Sequence, residues 1–290
     1  MSSRLYTFVA ALLLSLQLAL AQTAVVDDLG REVALDAPPA RVVSMLPSHT
    51  ESVCALGACD LLVGIDNNTD LEGLGDLPRL GDPFAPDVEA IVALEPDLVL
   101  VDEYSGMHAS LEELGIPTYA GSPQTVEETY AFLATLGRLL GREDEAAELV
   151  ESVQGELAEV GEALRGVDRP TVFVEVDPTP YSAGPGSYLD ELLTLAGGEN
   201  VVPASLGPFP QVDPEFVVLE DPEVVLLLDA PFGVTAAQVG ERPGWGDLSA
   251  VTGGRVYELT DEQADALSRP GPRLGEAVRL LARLLHPELF

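Results

Sequence analysis

Short apolar runs alternate with amphipathic stretches along most of the chain, and this alternation is typical of a layered α/β fold. The apolar runs predict buried strands, and the stretches between them predict helices that cover both faces of parallel sheets. The predicted strands cover residues 41–45, 61–65, 97–101, 117–120, 171–176, 224–228 and 255–259, and a hairpin or arm covers residues 25–39. The predicted helices cover residues 47–57, 89–94, 111–114, 126–140, 143–164, 189–195, 213–219 and 273–285.

One pattern occurs twice. In residues 84–100 and again in residues 209–226, an aromatic residue opens a loop, a short acidic helix follows, and a proline precedes a buried strand. The copies align Glu89 with Glu215, which are 126 positions apart (215 − 89). We therefore predict two similar α/β lobes with a ligand cleft between them.

A long amphipathic helix separates the two halves. Residues 143–164 contain no proline, and Gly166 ends the stretch. At about 1.5 Å per residue the helix would be roughly 33 Å long, enough to run along both lobes as a strut. We accordingly expect an N-terminal lobe over residues 22–142, a linking helix over residues 143–165 and a C-terminal lobe over residues 166–290, although an ordinary surface helix would show the same pattern.

The first 21 residues have the features of a cleaved signal peptide. Arg4 precedes an apolar stretch, and Ala19-Leu20-Ala21 provides the small residues of a cleavage site before Gln22. The alternative, an uncleaved anchor, requires a longer apolar run. No cysteine follows the cleavage site, so we expect a soluble periplasmic or extracytoplasmic protein without a lipid anchor.

The charge of the chain limits its possible partners, and its cysteine content limits its possible disulfides and metal sites. The net charge is −35, and all 14 basic residues are arginines, so nucleic acid is excluded as a partner. The two cysteines, Cys54 and Cys59, could form a disulfide after export if a helix end at Gly57 turns the chain back. Regular helix spacing would instead keep them as buried thiols, and both readings stay open. We predict no metal site.

The sequence contains no convincing catalytic constellation. It has three histidines, and the usual metalloprotease, nucleophile-elbow and phosphate-loop motifs are absent. Near the first predicted helix, Ser48 is expected to act as the N-cap, with Glu51 at the third helical position. Trp245 is interpreted as a packing residue.

Glu89 and Glu215 allow two interpretations. Each falls in the first turn of a short helix, where a carboxylate interacts favourably with the helix dipole by about 0.3–1 kcal/mol. Alternatively, the pair provides two separated anionic contacts for arginines of a symmetric partner. The residues alone do not choose between these interpretations.

Several motifs in this order resemble the periplasmic binding proteins joined by a single helix, which supply ABC importers for cobalamin, haem and ferric siderophores. The resemblance covers residues 41–290. It rests on RVVS at residues 41–44 with Pro47, Thr50 and Glu51, EAI at 89–91, PDLV at 96–99, GGEN at 197–200, PFPQV at 208–212, RPGW at 242–245, GRVY at 254–257 and RPGPRL at 269–274.

The resemblance implies a function. A protein of this kind captures its ligand between the lobes and delivers it to a membrane permease and ATPase, and Glu89 and Glu215 match the family's permease-docking glutamates. Cobalamin or a related corrinoid is the ligand implied first. It is transported cargo, and no cofactor is expected. The implied ligand-binding residues are Asn68, Phe84, Tyr104, Tyr181, Phe209, Asp265 and Arg269.

Other readings stay open at this stage. Haem would need Tyr104, Tyr181, His49 or His108 as an axial ligand, and an anionic siderophore would need arginines such as Arg79 and Arg269. A two-lobed chelatase-like enzyme would need a histidine or coupled carboxylates in the cleft. An envelope structural module would lack a deep cleft. We expect a non-enzymatic monomer whose continuous linking helix permits only small lobe motion.

Overall fold

The computed structural model of the protein describes residues 23–290, and the predicted signal peptide lies outside this range. The described part begins with an antiparallel hairpin of β1 (Thr23–Val26) and β2 (Glu32–Leu35), as the sequence predicts. Gly30 occupies the left-handed region at its turn, with φ of +74°. The hairpin packs its apolar face on the first lobe through Val25, Val33 and Leu35.

The N-terminal lobe contains a four-stranded parallel sheet in the order β4-β3-β7-β8. Helices cover both faces of this sheet, because alternate strand residues enter two separate apolar cores. A two-stranded hairpin, β5 with β6, lies within residues 66–88, for which the sequence pattern predicts neither strand nor helix. The elements are β3 (Val42–Ser44), α1 (Pro47–Ala55), β4 (Leu62–Ile65), β5 (Gly81–Asp82), β6 (Ala85–Pro86), α2 (Val88–Ala93), β7 (Leu98–Val101), α3 (Met107–Glu113) and β8 (Thr118–Ala120).

The C-terminal lobe contains a second, mixed sheet. Its path is β10-β9-β12-β13, with β11 pairing the start of β9, and all of these pairs are parallel except β10 with β9. The elements are β9 (Thr171–Asp177), β10 (Tyr181–Ser182), α6 (Tyr188–Leu195), β11 (Glu199–Asn200), α7 (Pro214–Glu220), β12 (Val224–Leu227), α8 (Ala236–Gly240), α9 (Ser249–Thr252), β13 (Val256–Glu258), α10 (Asp261–Ser268) and α11 (Leu274–Leu285).

Two long helices connect the lobes. They are α4 (Val126–Leu140) and α5 (Glu143–Ala163). Along α5, Ala146 is buried in the core of the N-terminal lobe, whereas Val153 and Val160 are buried in the core of the C-terminal lobe. The helix therefore braces both lobes, as the pattern of residues 143–164 predicts. Within residues 23–290, no helix is both long and apolar enough to cross a membrane.

The repeated unit is visible in the backbone. After α2 and after α7 the chain turns through Glu95 and Asp221, whose φ angles are 47° and 45°. These are the non-glycine residues with positive φ in the described chain, and they are again 126 positions apart (221 − 95). Each is followed by a proline and then a buried strand. Such left-handed residues are uncommon, so their equivalence supports a duplicated βαβ design.

The start of α1 differs from the predicted N-cap, and the turn after its end decides the state of the two cysteines. Ser48 is not the N-cap: Leu46 holds that position and Pro47 begins the helix, because proline is preorganised for the first helical turn. Beyond the helix, Gly57 adopts φ of +69° and turns the chain back. Cys54 and Cys59 form a disulfide there, so the buried-thiol alternative is wrong.

Candidate functional site

The carboxyl ends of the strands position the candidate residues. Tyr104 follows β7, Asn68 follows β4, and Tyr181 follows β9 within a few residues. In open parallel sheets, ligands bind outside the carboxyl ends of the strands. The two lobes approach one another on this side, because Arg269 of the C-terminal lobe contacts Glu51 of the N-terminal lobe.

Arg269 is the centre of a charged cluster between the lobes. Its Nη1 donates to Glu51 Oε1 at 2.8 Å and lies 3.4 Å from Asp70 Oδ1, and its Nη2 lies 2.7 Å from Asp265 Oδ2. Three carboxylates thus share one guanidinium. Sequence analysis identified Asp265 and Arg269 but missed Glu51 and Asp70.

Local structure explains how Arg269 reaches the other lobe. The capping box of Thr260 and Gln263 begins α10, and Arg269 is the residue that ends it. Asp265 lies one turn before Arg269, which orients the guanidinium along the helix end. The sequence Thr-x-x-Gln is a recognisable helix start, so α10 could have been predicted from its capping box.

Glu51 is an anchored carboxylate rather than a helix cap. Its side chain is 7% exposed, and its Oε2 receives no hydrogen bond from the described residues. Burial raises the pKa of Glu51, and the hydrogen bond from Arg269 opposes that change. Burial also raises the pKa of Asp265, again against the attraction of Arg269. Both carboxyl groups are therefore held between burial, which favours the protonated acid, and Arg269, which favours the carboxylate.

A cavity of about 430 Å³ opens beside this cluster and is contributed by both lobes. Its apolar surface comes largely from the loop after β12, where Phe232 is 89% exposed. An exposed phenylalanine at the end of a parallel strand is a ligand-contact candidate that sequence analysis missed. The lining residues are Asp70, Val176, Leu228, Pro231, Phe232, Asp261, Ala264, Asp265 and Ser268.

The predicted aromatic residues are all solvent-accessible. The exposed fractions are 72% for Phe84, 67% for Tyr104, 43% for Tyr181 and 53% for Phe209. Phe84 lies in the turn between β5 and β6, and Tyr181 lies beside the segment of Phe209 because Ser182 N donates to Pro210 O. These side chains are available to stack on a flat ligand, but they do not line the cavity beside Arg269.

The polar residues predicted nearby have partners of their own. Asn68 is exposed and its amide donates to Asp82 at 3.3 Å, close to the turn that carries Phe84. Arg79 donates to the backbone carbonyls of Asp66 and Thr69. Both arginines considered for an anionic ligand, Arg79 and Arg269, are therefore already engaged.

Two of the four residues considered as haem ligands, His49 and Tyr104, are poorly suited to that role. His49 is buried, stacks on Phe132 at 4.9 Å and bonds Gly121 O, and burial lowers its pKa to about 4. The Glu103 carboxylate, which accepts a hydrogen bond from Tyr104, raises the pKa of that phenol. A raised pKa disfavours the tyrosinate that binds ferric iron.

Glu89 and Glu215 occupy matching places in the repeat. Each is exposed in the first turn of a short helix, after Asp87 and Asp213, whose side chains cap α2 and α7. Among the described residues, neither glutamate takes part in an ion pair. A cavity of about 410 Å³ adjoins Glu215. It is lined by Pro178, Pro180, Asp213, Pro214, Glu215, Arg242, Pro243 and Trp245.

Trp245 is confirmed as a packing residue. It is 1% exposed, meets Phe173 edge to face at 5.9 Å, and lies under the guanidinium of Arg242 at 4.7 Å.

Two braced α/β lobes with a cavity between them define a ligand-binding protein of the bilobal class. The chain belongs to the periplasmic binding protein family, whose model matches residues 42–263. It is an ABC transporter substrate-binding protein. It is 32% identical, over 91% of this chain and 85% of the relative, to an uncharacterized ABC transporter substrate-binding lipoprotein, YvrC, of Bacillus subtilis.

Two further comparisons point to different ligands. A cobalamin-binding protein of Halobacterium salinarum is 27% identical over 88% of this chain and 71% of its own length. The apo structure of a periplasmic heme-binding protein, RhuT from Roseiflexus sp. RS-1, is 27% identical with a TM-score of 0.74, covering 86% of this chain and 99% of that one. The family and fold are therefore shared by proteins named for cobalamin and for haem.

Proposed function

We propose that this substrate-binding protein captures cobalamin or a related corrinoid in the cleft between its lobes and delivers it to an ABC permease. The observation that carries the choice of ligand is the cluster around Arg269. One guanidinium faces Glu51, Asp70 and Asp265, so the cleft offers hydrogen-bond acceptors and no unengaged positive charge at this point.

This electrostatic pattern favours a neutral ligand that carries many N–H donors. The corrin ring bears primary amides at its edge, and each can donate to a carboxylate such as Asp265 or Asp70. The carboxylates of this cluster would repel a ligand with exposed carboxylates, such as haem or many ferric siderophores. Such a ligand would also find no unengaged cation here, and an unpaired charge is costly to desolvate. In this proposal Arg269 holds the carboxylates of its partners in place as hydrogen-bond acceptors for the ligand.

The exposed aromatic residues supply the apolar part of the proposed site. Phe232 lines the cavity, and Tyr181 and Phe209 lie on the same lobe next to one another. Ligand sites of this kind are mostly apolar with a few placed polar groups. We propose that these rings, with Phe84, Tyr104 and Asn68 from the N-terminal lobe, contact the corrin faces.

We further propose that Glu89 and Glu215 dock onto arginines of the permease. Both carboxylates are exposed and free of ion pairs among the described residues, on helices related by the internal repeat. Charge complementarity of this kind steers and orients association. The lobes would span residues 22–142 and 166–290, with residues 143–165 between them.

The remaining features follow from the same role. We propose a monomer that catalyses no reaction and is exported by residues 1–21, with the ATPase as a separate subunit. Both cysteines are in the disulfide, which leaves no cysteine for lipid attachment, in contrast to the Bacillus relative named as a lipoprotein. The continuous helix α5 is expected to limit lobe motion, and a rotation of tens of degrees on ligand binding would refute that expectation.

Calorimetric titration tests the ligand. We expect saturable one-to-one binding of cyanocobalamin and much weaker binding of haemin and a ferric catecholate siderophore. Phe232→Ala should weaken cyanocobalamin binding about tenfold, because it removes an aromatic contact worth about 1.4 kcal/mol. The control Phe290→Ala, at an exposed aromatic outside the cavity lining, should leave the affinity unchanged. Tight haemin binding without cyanocobalamin binding would reject the corrinoid.

A transport assay with the cognate permease tests the docking residues. The double variant Glu89→Ala and Glu215→Ala should abolish transport while ligand affinity stays within about twofold of wild type, because the carboxylates lie outside the cleft cluster. Glu220→Ala, on the same helix as Glu215 but at its other end, serves as the control. Normal transport by the double variant would show that the docking assignment is wrong.

A further inference from the structure

Asp229 is a buried carboxyl group without a donor. It is 2% exposed, lies two residues after the end of β12, and precedes the short turn of residues 230–232. Neither side-chain oxygen receives a hydrogen bond from an N–H or O–H group among the described residues. A buried ionised carboxylate needs compensating donors or a positive charge, so this environment favours the protonated acid.

The nearest positive charge is already used by a second carboxylate. Glu175 is fully buried on β9, and its two oxygens accept a bidentate pair from Arg242, with Nη2 2.7 Å from Oε1. The backbone brings the two residues together at one end of the sheet: Leu227 pairs with Glu175 in the parallel register, and Leu228 N donates to Glu175 O just before Asp229. Asp229 therefore competes with Glu175 for a guanidinium that geometry has assigned to Glu175.

Other charged groups at this end of the sheet do not supply the missing donor. Asp177 on β9 and Glu258 on β13 are exposed, and they accept hydrogen bonds from Thr179 and from Ala236 N respectively. Burial and, to a smaller extent, the Glu175 carboxylate raise the pKa of Asp229 to about 7, and Arg242 opposes the change. The site of Glu175, Asp229 and Arg242 thus contains two carboxyl groups and one guanidinium.

The acid pair lies at the root of the loop that carries Phe232. Leu228 N donates to Glu175 O at 2.9 Å, and Phe232 N donates to Asp229 O at 2.9 Å. The side chains of Leu228, Pro231 and Phe232 line the cavity between the lobes. Movement at Asp229 would therefore reach the cavity wall within three residues.

We propose that Glu175 and Asp229 form a buried proton site, and that release of its proton to solvent repositions residues 229–233 and with them Phe232. With the proton present, the Asp229 hydroxyl donates to the Glu175 carboxylate and the loop stays in place. Without it, two like charges face one guanidinium in a site of low polarity, and the loop moves Asp229 towards water. The effect on ligand binding rests on the proposed function, whereas the proton site does not.

The chain contains its own reporter. Trp245 is the single tryptophan, and the guanidinium of Arg242 lies 4.7 Å above its ring while bonding Glu175. Tryptophan fluorescence of the ligand-free protein, titrated from about pH 5 to about pH 9, should show one transition near neutral pH. Asp229→Asn should abolish the transition, because the amide cannot lose a proton. Asp177→Asn, at an exposed acid of the neighbouring strand, should leave it unchanged.

A second variant separates the proton site from a folding defect. Glu175→Gln should shift the transition to lower pH, because Asp229 can then pair with Arg242 and ionise more readily. Folding of each variant is checked by far-ultraviolet circular dichroism. A transition that persists in folded Asp229→Asn, or that does not move in folded Glu175→Gln, would overturn the proton site.

The link to the cleft is tested separately with cyanocobalamin. Its affinity should change several-fold across the transition in wild type and stay constant with pH in Asp229→Asn. Phe232→Ala should keep the fluorescence transition but lose the pH dependence of affinity. A fluorescence transition without any change in affinity would reject the loop movement alone. Failure of cyanocobalamin to bind at any pH would reject the corrinoid proposal and leave the proton site intact.

Discussion

Arg269 and Arg242 each meet more carboxylates than one guanidinium can neutralise, but they do so in different surroundings. Arg269 joins Glu51 across the two lobes, and its other partner Asp70 has a side chain that is 72% exposed. Arg242 lies within one lobe and bonds Glu175, whose side chain is fully buried. Water can reorganise around Asp70 in the first cluster but cannot reach the Glu175 carboxylate in the second.

This difference separates two roles that look alike in sequence. The cluster between the lobes presents spare acceptors to a cavity, where a ligand can use them. Within the lobe, Glu175 lines neither of the two cavities described above, and in our proposal a proton compensates the excess of carboxyl groups. Both depend on a charge ratio that only the folded structure reveals.

Removal of Arg242 should give the largest loss of stability. Arg242→Met leaves Glu175 buried without its partner and also removes the cation from the face of Trp245. Breaking a buried pair in this way costs about 3–5 kcal/mol of unfolding free energy. Urea unfolding followed by circular dichroism measures it. Arg283→Met, at an exposed arginine of α11, should change stability by less than about 0.5 kcal/mol.

His49 should produce a pH dependence opposite to that of Asp229. Its pKa is lowered to about 4 by burial, so stability is fully present above about pH 6.5 and is lost as the pH falls towards 4, by about 3 kcal/mol. The pKa of Asp229 is raised, so its contribution is lost as the pH rises towards 7. Unfolding free energies of wild type and His49→Gln from about pH 4 to about pH 7 would show the first slope only in wild type.

Opening the disulfide should have an intermediate effect. The bond between Cys54 and Cys59 closes a short loop at the end of α1, the helix that carries Glu51. For so short a loop the expected loss is about 2 kcal/mol. Urea unfolding of wild type and of the double variant Cys54→Ser and Cys59→Ser would be compared under oxidising and reducing conditions. Only wild type should lose stability on reduction. Equal stability of wild type under the two conditions would argue against the bond.

Removal of Arg269 should cost least in stability and most in binding. Arg269→Met is expected to lower the unfolding free energy by about 1 kcal/mol, because Asp70 and Asp265 remain solvated and Glu51 can take up a proton. Cyanocobalamin affinity should fall because the acceptors lose their common anchor. A stability loss as large as that of Arg242→Met would remove the distinction between the two clusters.

Much of the fold could be predicted because it depends on local pattern. The apolar runs gave the central strands, and the repeat placed Glu89 and Glu215 on matching helices. Helix α10 is not among the predicted helices, because its first residues are polar; the capping box of Thr260 and Gln263 is the local signal that marks its start. Ser48 was misassigned as an N-cap because Pro47 is equally compatible with a helix start and takes precedence as the first helical residue.

The candidate site could be predicted less well than the fold, because its chemistry depends on pairs of residues that are far apart along the chain. Glu51 and Arg269 are 218 positions apart, and Glu175 and Arg242 are 67 positions apart. No spacing rule links such residues. Phe232 was missed for a different reason: its loop resembles an ordinary turn, and only its exposure beside the cavity marks it.

The most direct test of the ligand cleft is a structure of the protein crystallised with cyanocobalamin. We predict the corrin ring between the two lobes, with amide donors on Asp265 or Asp70, Phe232 against the ring, and the bond from Arg269 to Glu51 retained. A corrin bound outside the cleft, or one whose amides avoid the Arg269 cluster, would contradict the central claim.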